Sequence, residues 1–252
     1  MTNISLLAGL PPLTLLAIAV MVLAEAAIRG LTGFGMAIIL VPLLGLIIPP
    51  GEAVVLAIFL QLLIGPVGLR TILADADRQS ALTIAAVAMC ATPLGIMLLK
   101  IIVPDVARLL IAGIAIAAFI LVLLPPHKDG RVPGRLATWG TGVAAGLLTG
   151  FAAMPGPPVV PYYMRQNLPP ATARSSMLLV FFGTAIAGSV ASIALGVGSW
   201  KTAMLALILF VPMLVGNWLG GLAFGRIAPP IWRAVVAVIL GVAGISAVLR
   251  AI

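Results

Sequence analysis

Eight long apolar blocks, separated by short polar gaps, constrain the fold of this chain more than any other feature of its sequence. The blocks cover residues 13–48, 53–72, 81–102, 106–124, 136–164, 175–197, 202–224 and 231–249. A helix needs about 20 apolar residues to cross a bilayer, and six of the blocks have that length. Since only 8% of the 252 residues are charged, we predict an all-α polytopic membrane protein with about eight to ten membrane segments.

The remaining two blocks, 13–48 and 136–164, are too long for one crossing at about 1.5 Å per residue. Glycine and proline interrupt both, as GLTGFG at 30–35 and as GFAAMPGPP at 150–158. Proline cannot continue a helix, and glycine tolerates backbone conformations that end one. We predict that each long block is interrupted and either crosses twice in short passages or forms a re-entrant hairpin.

The two long blocks each open a group of four, which indicates an internal duplication. The sequence LTGF at 31–34 recurs at 148–151, VP at 41–42 recurs at 160–161, and PPGEA at 49–53 is matched by PPATA at 169–173. These offsets of 117, 119 and 120 residues are nearly constant and occur in order. We predict a first transmembrane repeat at 1–126, a connecting loop at 127–135 and a second repeat at 136–252.

The 14 basic residues predict how the halves are oriented, because Lys and Arg collect in cytoplasmic loops. A single crossing by each long block would divide them almost evenly. If each long block turns back, one side carries ten of them, namely Arg29, Arg70, Arg78, Lys128, Arg131, Arg135, Arg165, Arg174, Arg226 and Arg233. The other side carries Lys100, Arg108, Lys201 and Arg250. We therefore predict inverted repeats in the inner membrane, with the connecting loop cytoplasmic and both termini outside.

Reactive side chains are scarce in this sequence. One cysteine, Cys90, allows no intramolecular disulfide, and one histidine, His127, allows no histidine-based metal site or catalytic triad. The aspartates all fall in polar gaps between the blocks. We expect neither an enzyme nor a cofactor, and no nucleic-acid partner, because the basic residues are scattered singly between apolar runs.

The two breaks are the first candidates for a substrate site. Inverted-repeat transporters commonly bind anions at broken helices, where half-helix N-termini and freed backbone N–H groups face the ligand. The break residues that we expect to contact substrate are Thr32, Gly33, Phe34, Gly35, Met154, Pro155, Gly156, Pro157 and Pro158. The alternative is that these small residues only let helices pack closely.

Polar residues within the apolar blocks are the other candidates, because each is costly to hold in a membrane. Gln61 and Asn217 could donate amide hydrogens to an anion or could only link helices. Arg174 could attract an anion or snorkel to the membrane surface. Glu25 and Arg29, four residues apart, could form a neutralising ion pair, or Glu25 could couple transport to protons.

Several of these motifs together resemble the sulfite exporter TauE/SafE family of membrane permeases. The likeness rests on GLTGFGM at 30–36, VPLL at 41–44, PLG at 93–95, MPGPP at 154–158 and ARS at 173–175, and it covers nearly the whole chain. The resemblance implies duplicated halves and transport of sulfite, sulfonates or related small sulfur-containing anions. It also implies that Arg174 corresponds to the arginine that family members have at the start of the sixth block.

We therefore expect an exporter of a small sulfur-containing anion that works by alternating access. An anion that leaves a cell with a negative interior gains about 2.3 kcal/mol per charge per 100 mV, so export needs no coupling ion. Two alternatives stay open, namely proton-coupled uptake of a related anion and a non-transporting membrane assembly subunit. The expected partners are the anion and the lipid bilayer. A homodimer is one of the oligomeric states that the sequence leaves open.

Overall fold

The computed structural model describes residues 11–32, 36–123 and 133–222 of the chain. Within these residues every regular element is an α-helix, which confirms the all-α prediction. The helices are α1 (Pro12–Thr32), α2 (Met36–Leu44), α3 (Pro50–Ile64), α4 (Leu69–Asp75), α5 (Arg78–Ile101), α6 (Pro104–Leu123), α7 (Arg135–Ala152), α8 (Gly156–Met164), α9 (Pro170–Ala194) and α10 (Trp200–Leu222). The eighth apolar block, 231–249, lies outside the described residues.

The outer surface of the helix bundle is apolar. Leu94, Val190 and Val211 are 58%, 64% and 64% exposed, which suits contact with lipid and not with water. Four of the described helices (α1, α5, α9 and α10) are long and apolar enough to cross a membrane, and the bent pair of α3 and α4 would make a fifth span. The chain is a multi-pass membrane protein whose innermost helix is α3, where every residue from 53 to 60 is buried.

Both long blocks contain a long helix followed by a nine-residue helix. The second block is interrupted at Ala153–Pro155, as predicted, and residues 33–35, where the predicted break in the first block falls, lie outside the described residues. The first block becomes α1 and α2, and the second becomes α7 and α8. Each nine-residue helix contains an interior proline, Pro42 in α2 and Pro161 in α8. These prolines are 119 residues apart, in agreement with the offset that indicated a duplication.

The block at 53–72 also breaks, although its length alone suggested a single helix. α3 and α4 meet at an angle of 82°. The cause lies in the intervening sequence, since Pro66 offers no backbone N–H and Gly68 has φ 75°, which disfavours residues with a Cβ. Sequence length alone was therefore a poor guide for this block.

Three helices, α5, α7 and α9, run in the same direction. The order of their contacts shows this, because residue numbers rise together along each pair. The contacts are Gly142 with Ile84, Gly146 with Ala88 and Gly150 with Thr92 for α7, and Ser176 with Asp77, Gly183 with Ala85 and Gly188 with Thr92 for α9. Since α7 and α9 are parallel, the chain between them must return to the side on which α7 began.

The return path is α8. Tyr162 of α8 shares a hydrogen bond of 2.9 Å with Thr138 in the first turn of α7, and Tyr163 shares one of 2.9 Å with Ser80 in the first turn of α5. The second long block therefore enters and leaves on one side of the bundle. The prediction that this block turns back on itself is correct.

The first interrupted segment, α1 and α2, opens to the opposite side. α1 runs parallel to α10, and the contacts in order are Gly216 with Leu23 and Gly220 with Ala27. α10 starts on the side where α5 and α9 end, so α1 starts there too. Directly after α2, the carbonyl of Gly45 accepts a 3.0 Å hydrogen bond from Arg108 near the start of α6, again on that side.

Matching helices of the two halves also run in opposite directions. α3 and α9, which begin at the matched PP sequences, lie side by side and antiparallel. The contacts are Gly51 with Val197, Ile58 with Gly188 and Gly65 with Phe182. Inverted repeats require this relation, and its extension to the complete halves, with the boundaries given above, stays a prediction.

Charged helix ends fall on the two sides that the sequence indicated. Arg78, Arg135 and Arg174 stand at the parallel starts of α5, α7 and α9. Lys100 and Lys201 lie on the other side, where the ammonium group of Lys100 donates to the carbonyl of Leu195 at 2.8 Å. The assignment of the arginine-rich side to the cytoplasm stays a prediction.

Candidate functional site

A cavity lies where the two interrupted segments meet. Its walls are formed by Arg29, Ala37, Ile38, Gln61, Gly65, Ile72, Ala153, Met154, Pro155, Gly156, Leu178, Phe181 and Phe182. The cavity therefore joins α1 and α2 of one hairpin to the break before α8 of the other, with α3, α4 and α9 completing the wall.

The starts of both nine-residue helices face this cavity. Ala37 and Ile38 belong to the first turn of α2, and Gly156 is the first residue of α8. The two starts are close together, since a Cβ added to Gly156 would lie 3.9 Å from Cδ1 of Ile38. A helix N-terminus carries about half a positive charge, so the start of α8 at this cavity favours an anion there.

The break before α8 has a fixed backbone geometry. Ala153 has φ 57°, and the N–H groups of Ala153 and Met154 donate back to the carbonyls of Thr149 and Leu148 at 2.7 and 3.1 Å. The side-chain amide of Gln61 donates to the carbonyl of Ala153 at 3.0 Å. Gln61 therefore links α3 to the break, and its second amide hydrogen stays available on the cavity wall.

Arg29 brings a full positive charge to the cavity wall. Its guanidinium donates to Oδ1 of Asn217 on α10 at 2.8 Å. The ion pair expected between Arg29 and Glu25 is not formed, because the guanidinium is turned towards α10. Among the described residues the salt bridge present is that of Arg108 with Asp105, at 2.8 Å.

Arg174 does not simply snorkel outward. Its guanidinium donates to the carbonyl of Gly30 at 3.0 Å, near the C-terminal end of α1. Cations are favoured at this end of a helix, where backbone carbonyls carry partial negative charge. Because Gly30 directly follows Arg29, this bond brings a second arginine to the C-terminal end of α1, next to Arg29.

The structure thus brings together part of the set that the sequence indicated. Arg29, Gln61, Met154, Pro155 and Gly156 line the cavity. Asn217 contacts the cavity residue Arg29, and Arg174 bonds to Gly30, the residue after Arg29. Of the other break residues, Pro157 and Pro158 lie in the first turn of α8, Thr32 ends α1, and Gly33, Phe34 and Gly35 lie outside the described residues.

Sequence reasoning missed the apolar part of the wall. Phe181 and Phe182 of α9 face the cavity, and the ring of Phe182 packs so tightly on Gly65 that a Cβ there would overlap it. Phenylalanine inside an apolar block gives no signal of its own. The GPVG sequence at 65–68 was the available clue, because glycine and proline mark breaks in a helix.

Comparison with known proteins supplies the family. Neither the curated proteins nor the solved structures yield a match to this chain. The model of the family described as sulfite exporter TauE/SafE matches residues 17–247, which is nearly the whole chain and includes both interrupted segments. The chain therefore belongs to the TauE/SafE family of membrane transporters.

Proposed function

We propose that this protein exports a small sulfur-containing anion, sulfite or an organosulfonate, across the inner membrane by alternating access around the cavity. The observation that carries the proposal is the meeting of Arg29 with the starts of α2 and α8 at one cavity. Membership of the sulfite exporter family supports the chemical class of the substrate.

The charge of the cavity favours an anion over a cation or a neutral solute. Its wall holds one guanidinium and no carboxylate among the lining residues. A sulfur oxyanion presents several oxygens, so it can accept hydrogen bonds from the Arg29 guanidinium, the Gln61 amide and the N–H of Gly156 at the same time. The prolines at 157 and 158 have no N–H, which leaves Gly156 as the donor in the first three residues of α8.

The remaining wall favours a small substrate. Ile38, Leu178, Phe181 and Phe182 enclose the polar groups with apolar surface. Apolar walls exclude water and strengthen the attraction between an anion and Arg29, because the local dielectric constant is low. An anion with one sulfonate or sulfite group satisfies the polar groups without burying further charge on the apolar wall.

The two hairpins supply a route for alternating access. α1 with α2 and α7 with α8 open to opposite sides and approach each other at the cavity near Ile38 and Gly156. Rocking one hairpin against the other would expose the cavity to one side at a time. The membrane potential drives the anion outward, at about 2.3 kcal/mol per charge per 100 mV.

The decisive experiment is a flux assay in proteoliposomes. Purified protein is reconstituted and tested with sulfite, sulfoacetate, thiosulfate, sulfate and acetate under an imposed potential. We expect flux of at least one sulfur-containing anion, directed by the potential, and no acetate flux. Absence of flux for every sulfur-containing anion would overturn the proposal and favour a non-transporting subunit.

Two leucine variants locate the route. Gly156→Leu places a side chain between the two helix starts and is expected to stop flux while the protein stays folded. Gly113→Leu is the matched control, because a Cβ at Gly113 on α6 meets nothing within 4 Å. Size-exclusion profiles of both variants are expected to match that of the wild type. Full flux in Gly156→Leu would move the route away from the break.

A further inference from the structure

The carboxylate of Glu25 is the buried ionisable group that the transport route leaves unexplained. Its side chain is 2% exposed, and neither carboxylate oxygen has a hydrogen-bond partner among the described residues. Burial of an ionised carboxylate without donors is costly, so a proton is the simplest neutralising ligand. Arg29, one helical turn further along α1, bonds instead to Asn217.

Among the residues that the structure describes, few charged groups face this part of α1. On α1 itself the neighbour is Arg29, and on α9 it is Arg174, which reaches α1 through the carbonyl of Gly30. The other described helices packed most extensively along α1 are α2 and α10. Residues 36–44 and 202–222 of these helices contain no ionisable side chain, and Lys201 lies at the opposite end of α10. The charge balance near Glu25 therefore depends on the two arginines.

The spacing of Glu25 and Arg29 allows a second arrangement. Side chains four residues apart lie on one helix face, so a rotation of the Arg29 side chain would bring its guanidinium to the Glu25 carboxylate. In that arrangement the pair is neutral and the cavity loses its positive charge. In the arrangement of this structure the guanidinium bonds to Asn217 and stays on the cavity wall.

We propose that Glu25 is a proton-binding residue that controls how strongly the cavity binds an anion. With the proton bound, Glu25 does not attract Arg29, whose charge is then available to the substrate. With the proton lost, Glu25 draws Arg29 away from the cavity and the anion binds less strongly. Because binding linkage is reciprocal, a bound anion in turn favours the protonated form of Glu25.

This inference rests on the proposed function, and its test uses the same proteoliposomes. The half-saturation concentration is measured between about pH 5.5 and about pH 8, for wild type and for Glu25→Gln. The probe is isethionate, whose charge is constant over this range, when the liposomes transport it. Otherwise the probe is sulfite, with the concentration of each ionic form calculated at each pH.

We expect the affinity of the wild type for the anion to be at least about fivefold higher at the acidic end of this pH range than at the alkaline end. A factor of about five is the lower limit of typical coupling between two sites. Glu25→Gln, a neutral isostere of the protonated acid, is expected to keep the acidic-end affinity at every pH. Glu52→Gln is the matched control, because Glu52 is the chain's other glutamate and is exposed. The Glu52→Gln variant is expected to show the same pH dependence of anion affinity as the wild type.

The outcomes separate the two proposals. Flux with an affinity that does not change with pH in the wild type overturns the role of Glu25 and leaves the transport function intact. An unchanged pH dependence in Glu25→Gln overturns it as well. Absence of all flux overturns both proposals. If Glu25→Gln does not fold, the wild-type pH series together with Glu25→Asp, which keeps a titrating carboxylate and is expected to keep the pH dependence, still decides the question.

Discussion

Two pairs of parallel helices, α1 with α10 and α5 with α7, pack so closely that glycine is required where they touch. A Cβ on Gly216 or Gly220 of α10 would overlap a backbone carbonyl of α1, and a Cβ on Gly146 or Gly150 of α7 would overlap one of α5. In both pairs the glycines are four residues apart, the spacing that allows close approach of membrane helices. The pairs also correspond in the predicted duplication, because each joins the first helix of one half to a later helix of the other.

The two pairs differ in the polar groups that they carry. The α1–α10 pair holds Glu25, Arg29 and Asn217. The α5–α7 pair holds Thr92 and Thr149, whose hydroxyls donate at 2.7 Å to carbonyls of their own helices. The same kind of close backbone contact therefore occurs in two helix pairs with different roles. Both pairs provide a framework, and the α1–α10 pair in addition presents a charge to the cavity.

The largest expected effect is a loss of transport, and it tests whether the charge on the α1–α10 pair is the one that attracts the anion. Arg29→Gln removes the charge from the cavity wall and is expected to lower flux about 10- to 100-fold, since a hydrogen bond to a charged group contributes about 1.5–3 kcal/mol. The measurement is anion flux in proteoliposomes. Arg70→Gln, at an exposed arginine of α4, is the control and is expected to keep wild-type flux. Equal losses in the two variants would mean that general surface charge, and not the cavity, attracts the anion.

The next effect tests whether the two pairs share one framework. Gly146→Ala and Gly220→Ala are each expected to destabilise the protein by about 1–3 kcal/mol, because the added Cβ meets backbone that cannot move aside. Thermal unfolding in detergent measures this. Gly140→Ala on α7 is the control, since a Cβ there meets nothing within 4 Å, and it is expected to stabilise the helix by up to about 1 kcal/mol. If Gly220→Ala left the stability unchanged while Gly146→Ala lowered it, the two helix pairs would not share the same close packing.

A smaller effect is expected from the partner of the charge. Asn217→Leu removes the acceptor that holds Arg29 in place but leaves the charge itself, so it is expected to reduce flux by less than Arg29→Gln does, about 3- to 10-fold or about 0.7–1.4 kcal/mol. The adjacent Trp218, which is 63% exposed, provides the control variant Trp218→Leu with flux near that of the wild type. Flux assays on both variants check this. Wild-type flux in Asn217→Leu would show that Arg29 needs no partner on α10.

The smallest effect is expected from a change in the α5–α7 pair, which carries no charge at its contact. Thr92→Val keeps the shape of a fully buried side chain and removes a hydrogen bond within its own helix. Stability is expected to change by about 1 kcal/mol or less, with flux unchanged. Thermal unfolding and flux are measured on the same preparation. A flux loss as large as that of Asn217→Leu would show that the α5–α7 pair also takes part in transport.

The sequence predicted the secondary structure well because apolar length and proline position are local properties. The interruption at 150–158 was visible as glycine and proline and is present as a helix break, whereas residues 33–35 of the other predicted interruption lie outside the described residues. The break in 53–72 carried the same signal in Pro66 and Gly68, yet block length alone concealed it. Polar residues in apolar blocks were equally visible, which is why Arg29, Gln61 and Asn217 could be singled out in advance.

The contacts between these residues could not be predicted. Arg29 and Asn217 are 188 positions apart, and Gln61 meets Ala153 across 92. From the sequence, the natural partner of Arg29 was Glu25, because residues four apart share a helix face. The folded chain offers Arg29 an acceptor on α10 instead, and it leaves the Glu25 carboxylate without a hydrogen-bond partner among the described residues.

The sequence by itself determined that this protein is a helical membrane protein, where its second long block breaks, and to which family it is similar. These conclusions follow from apolar run length, from glycine and proline chemistry and from short motifs, all of which act over a few residues. Only the tertiary structure decided that the two breaks meet at one cavity and that Arg29 faces it. The physical reason is that helix packing, and in particular backbone contact at Gly216 and Gly220, sets which distant side chains become neighbours.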